Sequence, residues 1–112
     1  MTRPLGILLI SAGHERAHYA LVLATGAAAV GREVVLFATN AGCRLFEAAR
    51  PLESDPREAL LAAAEDLGIR RLACEAGLRA ESIQATALSR GVEVAGVVTF
   101  LAAVGEGQIV SL

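Results

Sequence analysis

The stretch "LGILLISAGHERAHYALVLATGAAAVGREVVLFAT", Leu5 to Thr39, decides the fold. It opens on a compact run of apolar, β-compatible residues, "LGILLIS", that breaks at Ala12-Gly13. A run apolar at every position is the pattern of a strand buried on both faces, as in a parallel sheet. An Ala-rich segment, "RAHYALVLATGAAAVGR", follows with Tyr19, Leu21, Val22, Leu23 and Val30 as a broad apolar face, and Gly31 is placed to stop it. "EVVLFAT" is then a second buried strand, turned by Asn40-Ala41-Gly42. Strand, helix, strand in this order is a βαβ unit.

The unit repeats. Arg44 to Ala49 reads as a short helix closed by Pro51. Asp55 is an N-cap with Pro56 at the first helical position and Glu58 three residues after the cap, so "PREALLAAAEDL" starts on a capping box. Leu60, Leu61, Ala64 and Leu67 supply its buried stripe, and Gly68 ends it. "IRRLA" is a third strand, and after Cys74 the chain is helical to about Ile83. "GVEVAG" leads to "VVTFLAAVGEG", a helix or a strand-helix junction, with the fourth strand ending near Thr99, and "QIVSL" is a last strand.

Strands alternating with helices predict an α/β fold: one domain over residues 1–112, a three-layer, flavodoxin-like parallel five-stranded sheet with helices on both faces. In such sheets chemistry gathers beyond the carboxyl ends of the strands. These ends carry Gly13 and His14, Thr39 and Asn40, Cys74, and Thr99. The common 2-1-3 strand order would make the His14 loop and Cys74 neighbours.

Composition excludes several classes of function. The chain has 112 residues, a formal net charge of -2, and ten basic residues that are all arginine and scattered, so no basic face invites nucleic acid. Hydrophobic residues are 54% and aromatic residues only 4%, an Ala, Val, Leu and Ile surplus that predicts burial in a homo-oligomer. The apolar run Leu5 to Ile10 is shorter than a usual signal-peptide core, and Val94 to Gly105 is well short of the roughly 20 residues that cross a bilayer, so no membrane contact and a cytoplasmic location are expected. The phosphate-loop, dinucleotide, Cys-x-x-Cys and Gly-x-Ser-x-Gly signatures are missing. No metal spacing links the histidines, Cys43 and the carboxylates, and no cofactor is expected.

Cys74 carries most of the chemical interest. At a strand-helix junction its sulfur would lie near the positive end of a helix dipole, which favours the thiolate and can lower a cysteine pKa from about 8.5 into the 3.5 to 7.5 range. Arg79 would add positive charge and Glu75 would oppose it. His14 would act as a general base or as a cation beside an anion. His18 reads as an ordinary helix residue, and Thr39 and Asn40 as turn formers. Cys43 reads either as a core residue or as a second, resolving thiol.

The βαβ opening, the run "ACEAGLRAESI" and the tail "GVEVAGVVTFLAAVGEGQIVSL" together resemble the DsrE/DsrF-like family of small sulfur-relay proteins. In sulfur-accepting members a cysteine after the third strand begins a Cys-x-Ala-x-Leu-Arg run, matched here by Cys74, Ala76, Leu78 and Arg79. The resemblance implies a single-domain fold assembling into dimers, trimers or hexamers, with a persulfide on Cys74 passed between a sulfur donor and an acceptor protein. The connector between the Cys74 helix and Gly91 is shorter than in the relay subunits. The residues by themselves also fit a non-catalytic oligomeric module that binds a small ligand or a protein, with Cys74 as core filler.

Overall fold

The computed structural model describes residues 3–48 and 56–112. Its elements are β1 (Leu5–Leu9), α1 (His14–Ala29), β2 (Val34–Ala38), a 3₁₀ segment (Asn40–Phe46), α2 (Pro56–Asp66), β3 (Arg70–Cys74), α3 (Glu75–Ala80), a 3₁₀ turn (Ala85–Ala87), β4 (Val92–Ala95), α4 (Val97–Val104) and β5 (Gln108–Ser111). All four strand pairings are parallel, in the order β4-β3-β2-β1-β5.

This order corrects the expected 2-1-3 arrangement: β3 pairs with β2, not with β1. The layering follows from the direction of travel. β1, β2, β3 and β4 step outward one place at a time, and right-handed crossovers then lay their connections on one face. The return from β4 to β5 runs the opposite way, so its helix, α4, covers the other face.

The core divides accordingly. Leu5, Ile7, Leu9, Val34, Leu36, Ala38 and Ala73 point toward the first face, where Ala17, Ala20, Leu21, Ala24, Leu61, Ala64 and Leu78 meet them. Val35, Phe37 and Leu72 point the other way, against Phe100 and Val104 of α4. Period-two alternation of fully apolar strands is what allows one sheet to fill both cores.

α1 packs through small residues. Ala17, Ala20, Leu21 and Ala24 are buried, whereas Tyr19 and Val30, assigned to the apolar face from sequence, are 58% and 76% exposed. Alanines let the helix axis approach the sheet closely, so the larger side chains are turned outward. In α2, Leu61 and Ala64 are buried and Leu67, beyond the helix end, is 44% exposed. The Asp55 cap lies outside the described residues; Pro56 is the first residue of α2 and Glu58 sits in its first turn.

The helix expected from Arg44 to Ala49 is instead a 3₁₀ segment beginning at Asn40, and Ala49 and Pro51 lie outside the described residues. Gly42 explains its early start: a β-carbon there would overlap the Leu9 carbonyl, so the segment lies directly on the end of β1. Gly31 and Gly68 end their helices at φ +93 and +72, as expected of glycine after a helix. At the sheet edge, Arg70 of β3 donates two bonds of 3.0 and 3.1 Å to Glu93 of β4. No helix among the described residues is long and apolar enough to cross a membrane.

Candidate functional site

Cys74 is the last residue of β3, and its register partner on β4 is Ala95. From this pair the chain departs in opposite directions. After Cys74 it enters α3, whose Leu78 joins the first core; after Ala95 and Gly96 it enters α4, which builds the second. Adjacent strands whose connections leave to opposite faces open a crevice at their carboxyl ends, where α/β sheets bind ligands. Cys74 stands at that switch point.

The thiol is partly exposed, and its side chain lies on the α4 face at the margin of the second core. It is the N-cap residue of α3 but makes no capping hydrogen bond through sulfur. α3 is six residues long, with Glu75 in its first turn. Arg79, expected to lend charge to the thiol, instead donates to Glu75 at 2.8 Å one turn back.

Thr39 and Asn40 adjoin this site from β2. Gly77 makes that possible, because a β-carbon there would overlap the Asn40 backbone nitrogen and stand 2.6 Å from the Thr39 hydroxyl oxygen. The Thr39 hydroxyl donates to the Asn40 side-chain oxygen at 3.0 Å, and Asn40 takes φ +51, a left-handed conformation that asparagine tolerates. Gly77 is the residue that sequence reasoning missed. Its signal is present, since glycine inside a helix costs about 1 kcal/mol against alanine and usually has a packing reason.

Cys43 lies against the same site from below. It is completely buried, and its thiol donates weakly to the Ala38 carbonyl at 3.5 Å. Burial pushes its pKa from the ordinary 9 to about 11; the backbone amide of Cys74 acts in the opposite sense, and the charges of Cys74 and Glu81 add to the rise. The two cysteines are thus neighbours of unequal access. The folded protein keeps the Cys43 proton where the unfolded chain has lost it, so this contribution to stability is complete below pH 9 and is lost as the pH rises toward about 11. Urea unfolding from pH 8.5 to 11 is expected to show that decline, and Cys43→Ala to flatten it.

His14 is not in a loop beside Cys74. It is the first residue of α1, exposed, with its ring stacked on His18 at 6.1 Å between centroids. β2 stands between β1 and β3, so the two strand ends are separated by two strand spacings, roughly 10 Å. Gly13, the residue before α1, donates its backbone N–H to the Ser11 hydroxyl at 2.9 Å. Thr99 does not end a strand: β4 stops at Ala95, and Thr99 lies in the first turn of α4, its N–H donating to the Gly96 carbonyl at 3.1 Å. Valines at 97 and 98 favour a strand, but Gly96 breaks it and the helix buries Phe100.

One family model, that of the DsrE/DsrF-like family, matches residues 5–111. The chain belongs to the DsrE/DsrF-like family. Two solved structures share this DsrE-like architecture. The ychN protein from E. coli matches with a TM-score of 0.76 at 14% identity, over 100% of both chains. MTH1491 from Methanobacterium thermoautotrophicum, a protein of unknown function, matches with a TM-score of 0.79 at 15% identity, over 98% of this chain and 99% of its own. No curated protein matches at the level of sequence.

Proposed function

We propose that this DsrE-like protein is a sulfur carrier that holds a persulfide on Cys74. The family is associated with sulfur relay, and one observation carries the reading: of two neighbouring thiols, Cys74 is the partly exposed one and stands at the switch point of the sheet. The Cys74 thiolate attacks the terminal sulfur of a donor persulfide, forming an S–S bond as the donor's own S–S bond breaks and its thiolate leaves. The terminal sulfur keeps the proton. Attack by an acceptor thiolate on that sulfur reverses the exchange, so sulfur moves with no net oxidation and no metal.

Thr39 and Asn40 shape the entrance, and His14, across the intervening strand, takes no part in proton transfer. Cys43, buried and held protonated, supports the crevice from the core. The test is mass spectrometry of the protein after incubation with a donor persulfide: one added sulfur is expected, located on Cys74. A protein that takes up no sulfur is instead the binding module, with Cys74 as packing.

The partner calling for least new surface is a second copy of the chain. α4 is apolar nearly all round, yet Val97, Val98 and Leu101 are 52%, 76% and 50% exposed, and Ile109 on the same sheet face is 45% exposed. A helix of this composition is normally covered on every side. The proposed homo-oligomer buries it, adjacent to Cys74. Light scattering is expected to show a multiple of 11.6 kDa for the wild type, and Val98→Asp, at a position the monomer leaves open, to reduce it to the single-chain mass.

A further inference from the structure

Sulfur exchange at Cys74 leaves unused a buried charge on the opposite face of the same strand. Arg71, the second residue of β3, is nine-tenths buried against the α2 side. Among the described residues its Nε–H has no hydrogen-bond partner, and none of the ion pairs found there includes it. A guanidinium keeps its charge at ordinary pH, and a buried donor left without an acceptor costs free energy. The fold nevertheless keeps a place for it. Gly91 takes φ +87, and a β-carbon there would stand 2.6 Å from Arg71 Nη2, so the glycine leading into β4 leaves the slot in which the guanidinium lies.

Arg71 lines a cleft of about 220 Å³ between α2 and the turn before β4. Phe46 forms an apolar wall, Ser89 and Arg90 contribute from the turn, and Glu58 and Glu65 come from α2. The volume is below the roughly 300–1,000 Å³ of sites for drug-sized molecules, so the occupant is small. Two arginines and two glutamates give the lining no net formal charge. An occupant bearing one negative charge satisfies Arg71 at little cost, whereas a dianion meets both carboxylates.

We propose that this cleft binds a small monocarboxylate, its carboxylate seated on the Arg71 guanidinium and the Ser89 hydroxyl. The forked, planar donors of arginine match the two oxygens of a carboxylate. The cleft opens on the face away from the Cys74 sulfur, three residues back along β3 and so roughly 10 Å along the strand. Binding here is independent of sulfur transfer.

Nitrogen-15 NMR of the full chain labelled at arginine reads the Arg71 Nε–H directly, with Arg71→Met to assign the signal. Acetate, propionate and inorganic phosphate are titrated at matched ionic strength. Acetate and propionate are expected to move the Arg71 signal saturably, with phosphate at least about tenfold weaker, and Ser89→Ala, at the edge of the cleft, to weaken both carboxylates about tenfold. Absence of a saturable shift with either carboxylate overturns the proposal. Phosphate binding as tightly as acetate, or carboxylate binding unchanged in Ser89→Ala, overturns the assignment of ligand and seat.

Discussion

Cys74→Ser is expected to abolish sulfur loading altogether, while Cys43→Ser retains it. Serine keeps the size of the side chain but cannot form the S–S bond on which the exchange depends. The contrast rests on access, because Cys43 is completely buried with its pKa raised to about 11, and Cys74 is partly exposed. Alkylation gives a second readout: iodoacetamide is expected to modify Cys74 in the native protein and Cys43 only after denaturation. Loading that persists in Cys74→Ser and disappears in Cys43→Ser would reverse the assignment, with Cys43 becoming the carrier through local opening of the 3₁₀ segment. Loading in neither the wild type nor any variant would leave the DsrE-like fold without the sulfur chemistry.

Phe100→Ala is expected to destabilise the fold by about 3–5 kcal/mol, the range of a buried aromatic truncated in a core. Phe100 is 1% exposed and stacks on Phe37 with centroids 4.8 Å apart. The second core has few members, and Gly6 leaves the depression that receives the ring: a β-carbon there would stand 2.9 Å from Phe100 Cζ. Neighbours cannot refill the space, because the sheet below is fixed by its ladder. Urea denaturation should show a lower midpoint with an unchanged slope. Tyr19→Ala, which removes an aromatic side chain that is 58% exposed, is expected to stay within about 0.5 kcal/mol of wild type. Since the Cys74 side chain rests on the margin of this core, Phe100→Ala is also expected to raise its alkylation rate. Equal costs for the two aromatic truncations would mean that α4 is not the lid of a core in the monomer.

The sites were legible in proportion to how local their signals are. Cys74 could be placed at the end of β3 because "IRRLA" is an apolar run entered directly from a helix that Gly68 ends. Thr39 and Asn40 could be placed at the end of β2 for the same reason. Thr99 was misplaced because valines favour strands, and only the packing of Phe100 under Gly6 shows that the helix has already begun. Tyr19 and Val30 were turned inward by hydrophobicity alone, when the sheet needed the small alanines of α1.

What the sequence by itself determined is the alternation of strand and helix, the parallel pairing implied by strands apolar on both sides, and the placement of Thr39, Asn40 and Cys74 at strand ends. All are set by spacing within a dozen residues. Tertiary structure alone decided the order β4-β3-β2-β1-β5, because the direction in which a crossover steps is a choice between two edges of a sheet and leaves no mark on the segment that makes it. That choice put β2 between His14 and Cys74, sent α3 and α4 to opposite faces around the thiol, brought Cys43 beneath it, and buried Arg71 over a cleft that no local pattern announces.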